Sequence, residues 1–157
     1  MMLNGEHNVT LDDKNRLTLP AALRNKLEAS SIVITKGADK CLWLYSSAEW
    51  EEKIGNVIKA NIDPFSKKDL RLLRKYIAPS QDLEIDKAGR VLLTESLREY
   101  ANISKDCVVL GAIDHIEIWD EKSYREYCDE DDEGNAGEFE AASEELSRRI
   151  KRQRGID

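Results

Sequence analysis

Arg16 and Arg90 stand 74 positions apart, each at the end of the same short pattern. The chain reads Leu11-Asp12-Asp13-Lys14-Asn15-Arg16 around the first and Ile85-Asp86-Lys87-Ala88-Gly89-Arg90 around the second. The likeness continues past each arginine: the same offset maps Asp12 onto Asp86, Leu23 onto Leu97 and Arg24 onto Arg98. A guanidinium keeps its charge and forks onto carboxylate, phosphate or guanine acceptors. Two chemistries are open to it here. The aspartate four residues earlier can pair with it and simply close a tight turn. Alternatively, the turn presents the cation to an anionic partner, with Lys14 or Lys87 beside it for phosphate contact.

The turn chemistry is legible in the residue types. Gly89 adopts a positive φ without steric cost, and Asn15, in the matching place, tolerates that conformation next best. Asp12 and Asp86 can accept hydrogen bonds from the turns' own amides. Asp12, Asp86 and Gly89 are therefore read as turn-stabilising. A two-stranded ribbon carrying such turns can enter the major groove of B-DNA. The candidate contact set is Arg16, Lys14, Asn15, Arg90 and Lys87. The N-terminal half is the basic one, which ranks the Arg16 turn ahead of the Arg90 turn.

Other chemistries find little support. His7 and His115 have no second His or Cys at ligand spacing, so no metal site is expected. No P-loop, GxSxG or GxGxxG occurs. Asp12 and Asp86 each have their own Arg and Lys, which keeps both ionised and suits neither a general acid nor a raised-pKa base. No enzymatic activity and no cofactor are expected. Cys41, Cys107 and Cys128 are odd in number and form no CxxC pair, so they read as reduced cytosolic thiols.

The elements that must hold the turns follow a repeated order. Val9 to Leu11 and Leu17 to Leu19 alternate as strands on either side of the first turn, a hairpin-like excursion. Pro20 stands at the start of a helix through Leu27. Ser31–Thr35 and Cys41–Tyr45 are strands, and Ser46 with Glu49 makes a capping-box start for a helix. The second copy repeats this, with strands at 83–85, 91–93, 107–110 and 116–119 and helices at 95–100 and 120–127. Between the copies Asp63-Pro64-Phe65 breaks the chain. A helix then begins at Ser66, bearing Lys67, Lys68, Arg71, Arg74 and Lys75, and Pro79 ends it. The expected organisation is a first repeat at 1–60, a basic helical linker at 61–80, a second repeat at 81–128 and a charged tail at 129–157, partly disordered or helical.

The chain has 157 residues and a formal net charge of −7. Residues 1–80 hold 13 Lys and Arg against 10 Asp and Glu, and the acid is concentrated in the tail run Asp129 to Glu133. A net negative charge does not exclude a local basic patch, because charges beyond about 8–10 Å are screened. No apolar run reaches the roughly 18 residues a bilayer span needs, and the first residues lack a secretory pattern. The expected location is the cytoplasm, without membrane association.

Together these residues resemble the MraZ proteins of bacteria, which carry two SpoVT/AbrB-type domains in tandem. The resemblance covers about residues 1–128. It rests on Gly5-Glu6, the two DxxxR turns, the Cys41–Tyr45 hairpin strand, Glu49-Trp50, and Ile116-Glu117-Ile118-Trp119. It implies an α+β, mainly β fold: a swapped-hairpin, double-psi-like barrel formed by the two repeats, with flanking helices. It also implies ring-like homo-oligomers in the nucleoid. These would bind double-stranded DNA at promoter repeats and repress the division and cell-wall gene cluster, with Arg16 and Arg90 as the contacting arginines. The chain departs from the family pattern at Asn15, where glycine is usual, and at Thr94, which stands opposite Pro20. The competing readings are an AbrB-like antitoxin and a structural ring protein without DNA binding.

Overall fold

A computed structural model describes residues 2–130 and 136–155. The contacts divide the chain into two units, residues 1–121 and 122–157. In the first unit the strands are β1 (Glu6–Thr10), β2 (Arg16–Thr18), β3 (Ser31–Lys36), β4 (Leu42–Ser46), β5 (Gln81–Glu84), β6 (Arg90–Leu92), β7 (Asp106–Gly111) and β8 (Ile116–Asp120). They form a six-stranded antiparallel sheet in the order β1-β7-β8-β4-β3-β5, plus a two-stranded ribbon of β2 and β6.

Four of the six strand pairings described join one repeat to the other: β1 with β7, β3 with β5, β4 with β8 and β2 with β6. The local hairpin expected from Val9–Leu11 and Leu17–Leu19 is therefore corrected. The turn between them is present, but the strands it joins take their partners from the opposite repeat. The physical reason is length and burial. A hairpin with a three-residue strand is marginal alone. Crossing over instead places Leu17 opposite Val91, its own equivalent, with both at 0% exposure. A pseudo-twofold axis passes between them, and Trp43 opposite Glu117 obeys the same symmetry. The hydrogen-bonded sheet does not itself close. Its edge strands β1 and β5 contact β2 and β6, so the ribbon spans the two edges. The architecture is mixed α+β with the repeats exchanging strands.

The helices are placed by the signals the sequence carries. Pro20 is the N-cap of α1 (Ala21–Leu27), whose last turn ends at Glu28 with φ 51°. Ser46 Oγ accepts from Glu49 N at the start of α2 (Ser47–Glu49), which continues through a π-helical stretch, Trp50–Gly55, into α3 (Asn56–Asn61). Ser66 Oγ accepts likewise from Asp69 N at α4 (Lys67–Leu72), followed by a π-helical stretch, Leu73–Ile77. Such caps are worth about 0.5–2 kcal/mol each. α5 (Glu95–Tyr100) matches α1. Leu17, Leu19 and Leu23 in one repeat and Val91, Leu93 and Leu97 in the other are at most 1% exposed, so the two halves share one core.

In the second unit, α6 (Glu121–Asp129), which starts at the boundary, leads to α7 (Ala136–Gln153). Glu145 pairs with Arg149 at 2.7 Å, one helical turn apart, as acid placed ahead of base favours. Residues 131–133 of the acidic run lie outside the described residues. No helix among the described residues is long and apolar enough to cross a membrane.

Below the β7–β8 hairpin, His115 stacks on Tyr45 with ring centroids 4.8 Å apart and meets the edge of Trp43 at 5.7 Å. Its Nδ1 lies 2.8 Å from Asp114 Oδ1, and its Nε2 lies 3.7 Å from Glu117 Oε2, within ion-pair range but too long for a hydrogen bond. Lys53 reaches both Glu49 and Asp114. Burial opposes the charged imidazole, but the Glu117 and Asp114 carboxylates outweigh it and hold the His115 pKa above its ordinary value. Burial also raises both carboxyls, and the imidazolium outweighs it, holding them low. The stabilisation from a raised histidine is full below its ordinary pKa of 6.5 and is lost as pH rises through the folded value. The stabilisation from the carboxylates is lost as pH falls below their ordinary 3.8 and 4.5 through the lowered values. Urea melts across pH should therefore show the contribution of this cluster greatest between those limits, and His115→Gln should remove the part of the decline that sets in as pH rises past 6.5.

Candidate nucleic-acid interface

The two turns are built alike. Asp12 Oδ1 accepts from Lys14 N and Arg16 N, both at 2.9 Å, while Oδ2 accepts from Arg16 Nε at 2.8 Å. Asp86 repeats this with Ala88 N and Arg90 N at 2.9 Å and Arg90 Nε at 2.8 Å. The backbone amide of Arg16 is the strongest influence on the Asp12 pKa and lowers it; desolvation opposes it and ranks ahead of the Arg16 side chain, yet the net direction is down, and Asp86 follows the same order with Arg90. Asn15 has φ 60° and Gly89 φ 80°. Each turn also bonds the other repeat, since Leu93 N donates to Asn15 O and Leu19 N to Gly89 O.

The aspartate uses Nε alone. Among the described residues, no side chain pairs with the Nη atoms of Arg16 or Arg90. Both side chains are about one-third exposed, at 29% and 35%. The two readings of the sequence are thus compatible. One edge of each guanidinium closes its turn, and the forked edge remains available to an outside acceptor.

Strand pairing brings the turns into one surface. Arg16 stands opposite Leu92, and Thr18 opposite Arg90. Directly paired residues share a face, and the face alternates along a strand. Arg16, Thr18, Arg90 and Leu92 therefore point outward, while Leu17 and Val91 point into the core. The two arginine Cα atoms are about 8 Å apart by ribbon geometry, two residues along and one strand across. Lys14 is exposed on the turn at one end and Lys87 on the turn at the other.

Local charge differs between the ends. The first turn carries Asp13 where the second carries Lys87. Arg24 reaches across from the first repeat, its Nη1 3.4 Å from Ala88 O, and a Cβ on Gly89 would lie 1.6 Å from that nitrogen. Arg98, the equivalent of Arg24, instead donates from Nε to Leu93 O at 3.0 Å. The second turn thus gathers Lys87, Arg90 and Arg24, although the N-terminal half is the more basic in sequence. Arg24, Thr18 and Leu92 were not singled out from sequence. The repeat of Arg24 as Arg98 was a usable signal, whereas the other two need the strand register.

Gly89→Ala should cost about 1–2 kcal/mol, because a Cβ at positive φ is strained and Arg24 must also move. Asn15→Gly should change stability by less than about 1 kcal/mol in either direction, since easier backbone geometry offsets a more flexible unfolded chain. Denaturant melts of the two variants check this pair.

No group of three or more His, Cys, Asp or Glu among the described residues is arranged to hold a metal ion. Cys41 and Cys107 are buried, and burial pushes both thiols up to about 12, which suits packing rather than reactivity.

Comparison with known proteins agrees with the tandem architecture. A family model described as "MraZ protein, putative antitoxin-like" matches twice, over residues 2–74 and 77–150. A Treponema denticola protein named transcriptional regulator MraZ is 38% identical over 144 residues, spanning 92% of this chain and 96% of that protein. Its namesake in Treponema pallidum is 39% identical over 142 residues, spanning 90% of this chain and 92% of its own. One from Saccharopolyspora erythraea is 40% identical over 136 residues, spanning 86% and 92%. With both repeats matched and relatives aligned along nearly their whole length, the chain belongs to the MraZ family.

Proposed function

We propose that this protein is a transcriptional repressor that binds double-stranded DNA through the β2–β6 ribbon. The observation that carries the reading is the single exposed face bearing Arg16 and Arg90, with unpaired forks and with Lys14 and Lys87 at its ends. A two-stranded ribbon fits the major groove, which is about 12 Å wide. Arg16 and Arg90 take guanine edges or phosphates, and Lys14 and Lys87 neutralise phosphates. Asn15 sets the first turn's approach to the backbone. Asp12, Asp86 and Gly89 hold the arginines at their angle. The names of the relatives support a role in transcription. The family resemblance supports ring-like self-assembly in the nucleoid, repeated promoter sites, and control of the division and cell-wall genes. One ribbon offers few contacts, so several ribbons engaging repeated sites at once supply the affinity.

The test is a mobility shift with labelled DNA from upstream of the protein's own gene, against a shuffled duplex of equal length, at two salt concentrations. Native mass is measured with and without the DNA. A preference for the upstream fragment that survives the higher salt is expected. Equal, salt-erased binding to both duplexes would overturn the sequence-specific reading.

A further inference from the structure

The outward face of the ribbon holds one residue that phosphate chemistry does not explain. Leu92 is 47% exposed, although Val91 and Leu93 on either side of it are at 0%. It stands directly opposite Arg16 on the same face. The pseudo-twofold axis exchanges Arg16 with Arg90 and Leu17 with Val91, and it exchanges Thr18 with Leu92. On this face the arginines obey the symmetry and the residues beside them break it. One arginine has an exposed leucine as its neighbour, and the other has a threonine.

The surroundings define the partner. Lys14, Arg16, Arg90 and Lys87 line the ribbon from end to end, and Asp12 and Asp86 are each taken up by the arginine of their own turn, so the groups left to meet a partner are mainly cationic. A polyanion with an apolar feature among its polar groups matches both parts. In the major groove, thymine presents such a feature, its C5 methyl, next to the hydrogen-bonding edges of neighbouring bases. Leu92 stands directly across from Arg16, about 5 Å away between Cα atoms, little more than one base-pair step of about 3.4 Å, which places it within reach of a base beside the one that Arg16 takes.

Resting on the DNA-binding reading above, we infer that Leu92 is a specificity-determining residue that contacts the C5 methyl of a thymine next to the base held by Arg16. Thr18, the matching residue beside Arg90, presents a smaller and hydroxylated surface and does not make the same contact. A single chain therefore reads its site in one direction despite its twofold backbone.

The experiment uses the full chain and duplexes that the wild-type protein selects from a random-sequence library. Each thymine of the selected site is replaced in turn by deoxyuridine, which deletes the C5 methyl and leaves the hydrogen-bonding edge intact. At one position the wild type should lose about fourfold in affinity, the value of one buried methyl group. Leu92→Ala and Leu92→Thr, whose side chains are shorter than leucine, should show a smaller difference between the thymine and deoxyuridine duplexes at that position than the wild type does. Leu92→Thr matches Thr18 across the axis and should weaken the preference for one orientation of the asymmetric site, while the unlike turns, Asp13 against Lys87, remain. Circular dichroism should be unchanged, because Leu92 lies outside the core. Wild-type binding that is indifferent to every deoxyuridine overturns the inference, as does an unchanged methyl response in both variants. If the wild type selects no sequence at all, the DNA-binding reading falls and the inference with it.

Discussion

Replacing Arg16 and Arg90 together by alanine should abolish sequence-specific DNA binding while leaving the fold intact. Each arginine is expected to contribute about 1–3 kcal/mol per chain, so a single substitution should weaken binding by about 5- to 150-fold. The fold should survive because the turns do not depend on the guanidinium alone. In Arg16→Ala, Asp12 Oδ1 keeps its bonds from Lys14 N and from the amide of residue 16, and Asp86 keeps the corresponding pair. Arg16→Lys is the sharper variant. It keeps the charge but loses both the Nε bond to Asp12 and the forked edge. Non-specific, salt-sensitive binding should persist in Arg16→Lys while preference for the selected sequence is lost. Fluorescence anisotropy on selected and shuffled duplexes separates these effects. Full sequence preference in the double alanine variant would remove the ribbon as the reading surface.

The second large effect concerns the halves. A fragment of residues 1–74 should not fold as a monomer. Of the pairings its strands make, β3 with β4 alone lies within it; β1, β2, β3 and β4 each also need a strand from the second repeat. Leu17, at 0% exposure against Val91, would face water. Burying one such side chain is worth about 1.5–3 kcal/mol, a large part of a small domain's stability of about 5–15 kcal/mol. A second copy of the fragment can supply equivalent strands, so any folded form should be a dimer whose melting temperature rises with concentration. Sedimentation with circular dichroism over a hundredfold concentration range checks this. A monomer melting cooperatively at one temperature throughout would contradict the exchanged pairing.

Much of this fold was legible from local signals. Ser46 and Ser66 mark their helix starts, Pro20 marks α1, and the two Asp-to-Arg turns declare themselves by residue type. Those signals act within a few positions of the chain, and the sequence carries them directly. The strand partners were not legible in the same way. Val9 and Leu17 look like neighbours across a turn, yet they pair with Cys107 and Val91. A three-residue strand carries too little pattern to specify its partner, and the choice is made by the shared core. The candidate site suffered from the same gap. Its arginines could be named from spacing, but their common face follows from the register of Arg16 with Leu92. Leu92 itself reads as one more apolar residue in Val91-Leu92-Leu93 until the pairing turns it outward. His115 looked like a turn residue without ligands. Its carboxylate and aromatic neighbours come from β4, the start of β8 and the loop before it.

The axis between Leu17 and Val91 has an evolutionary consequence. In a homodimer of single-repeat chains, every mutation strikes both halves at once, and an unfavourable change is doubled. Joining the halves in one polypeptide lifts that coupling. The core keeps apolar residues at the equivalent positions Leu17 and Val91, while positions away from it, at the rims, are free to differ between the halves, as Asn15 does from Gly89 and Asp13 from Lys87. Substitutions accepted at such rim pairs can retune one end of the molecule without disturbing the other.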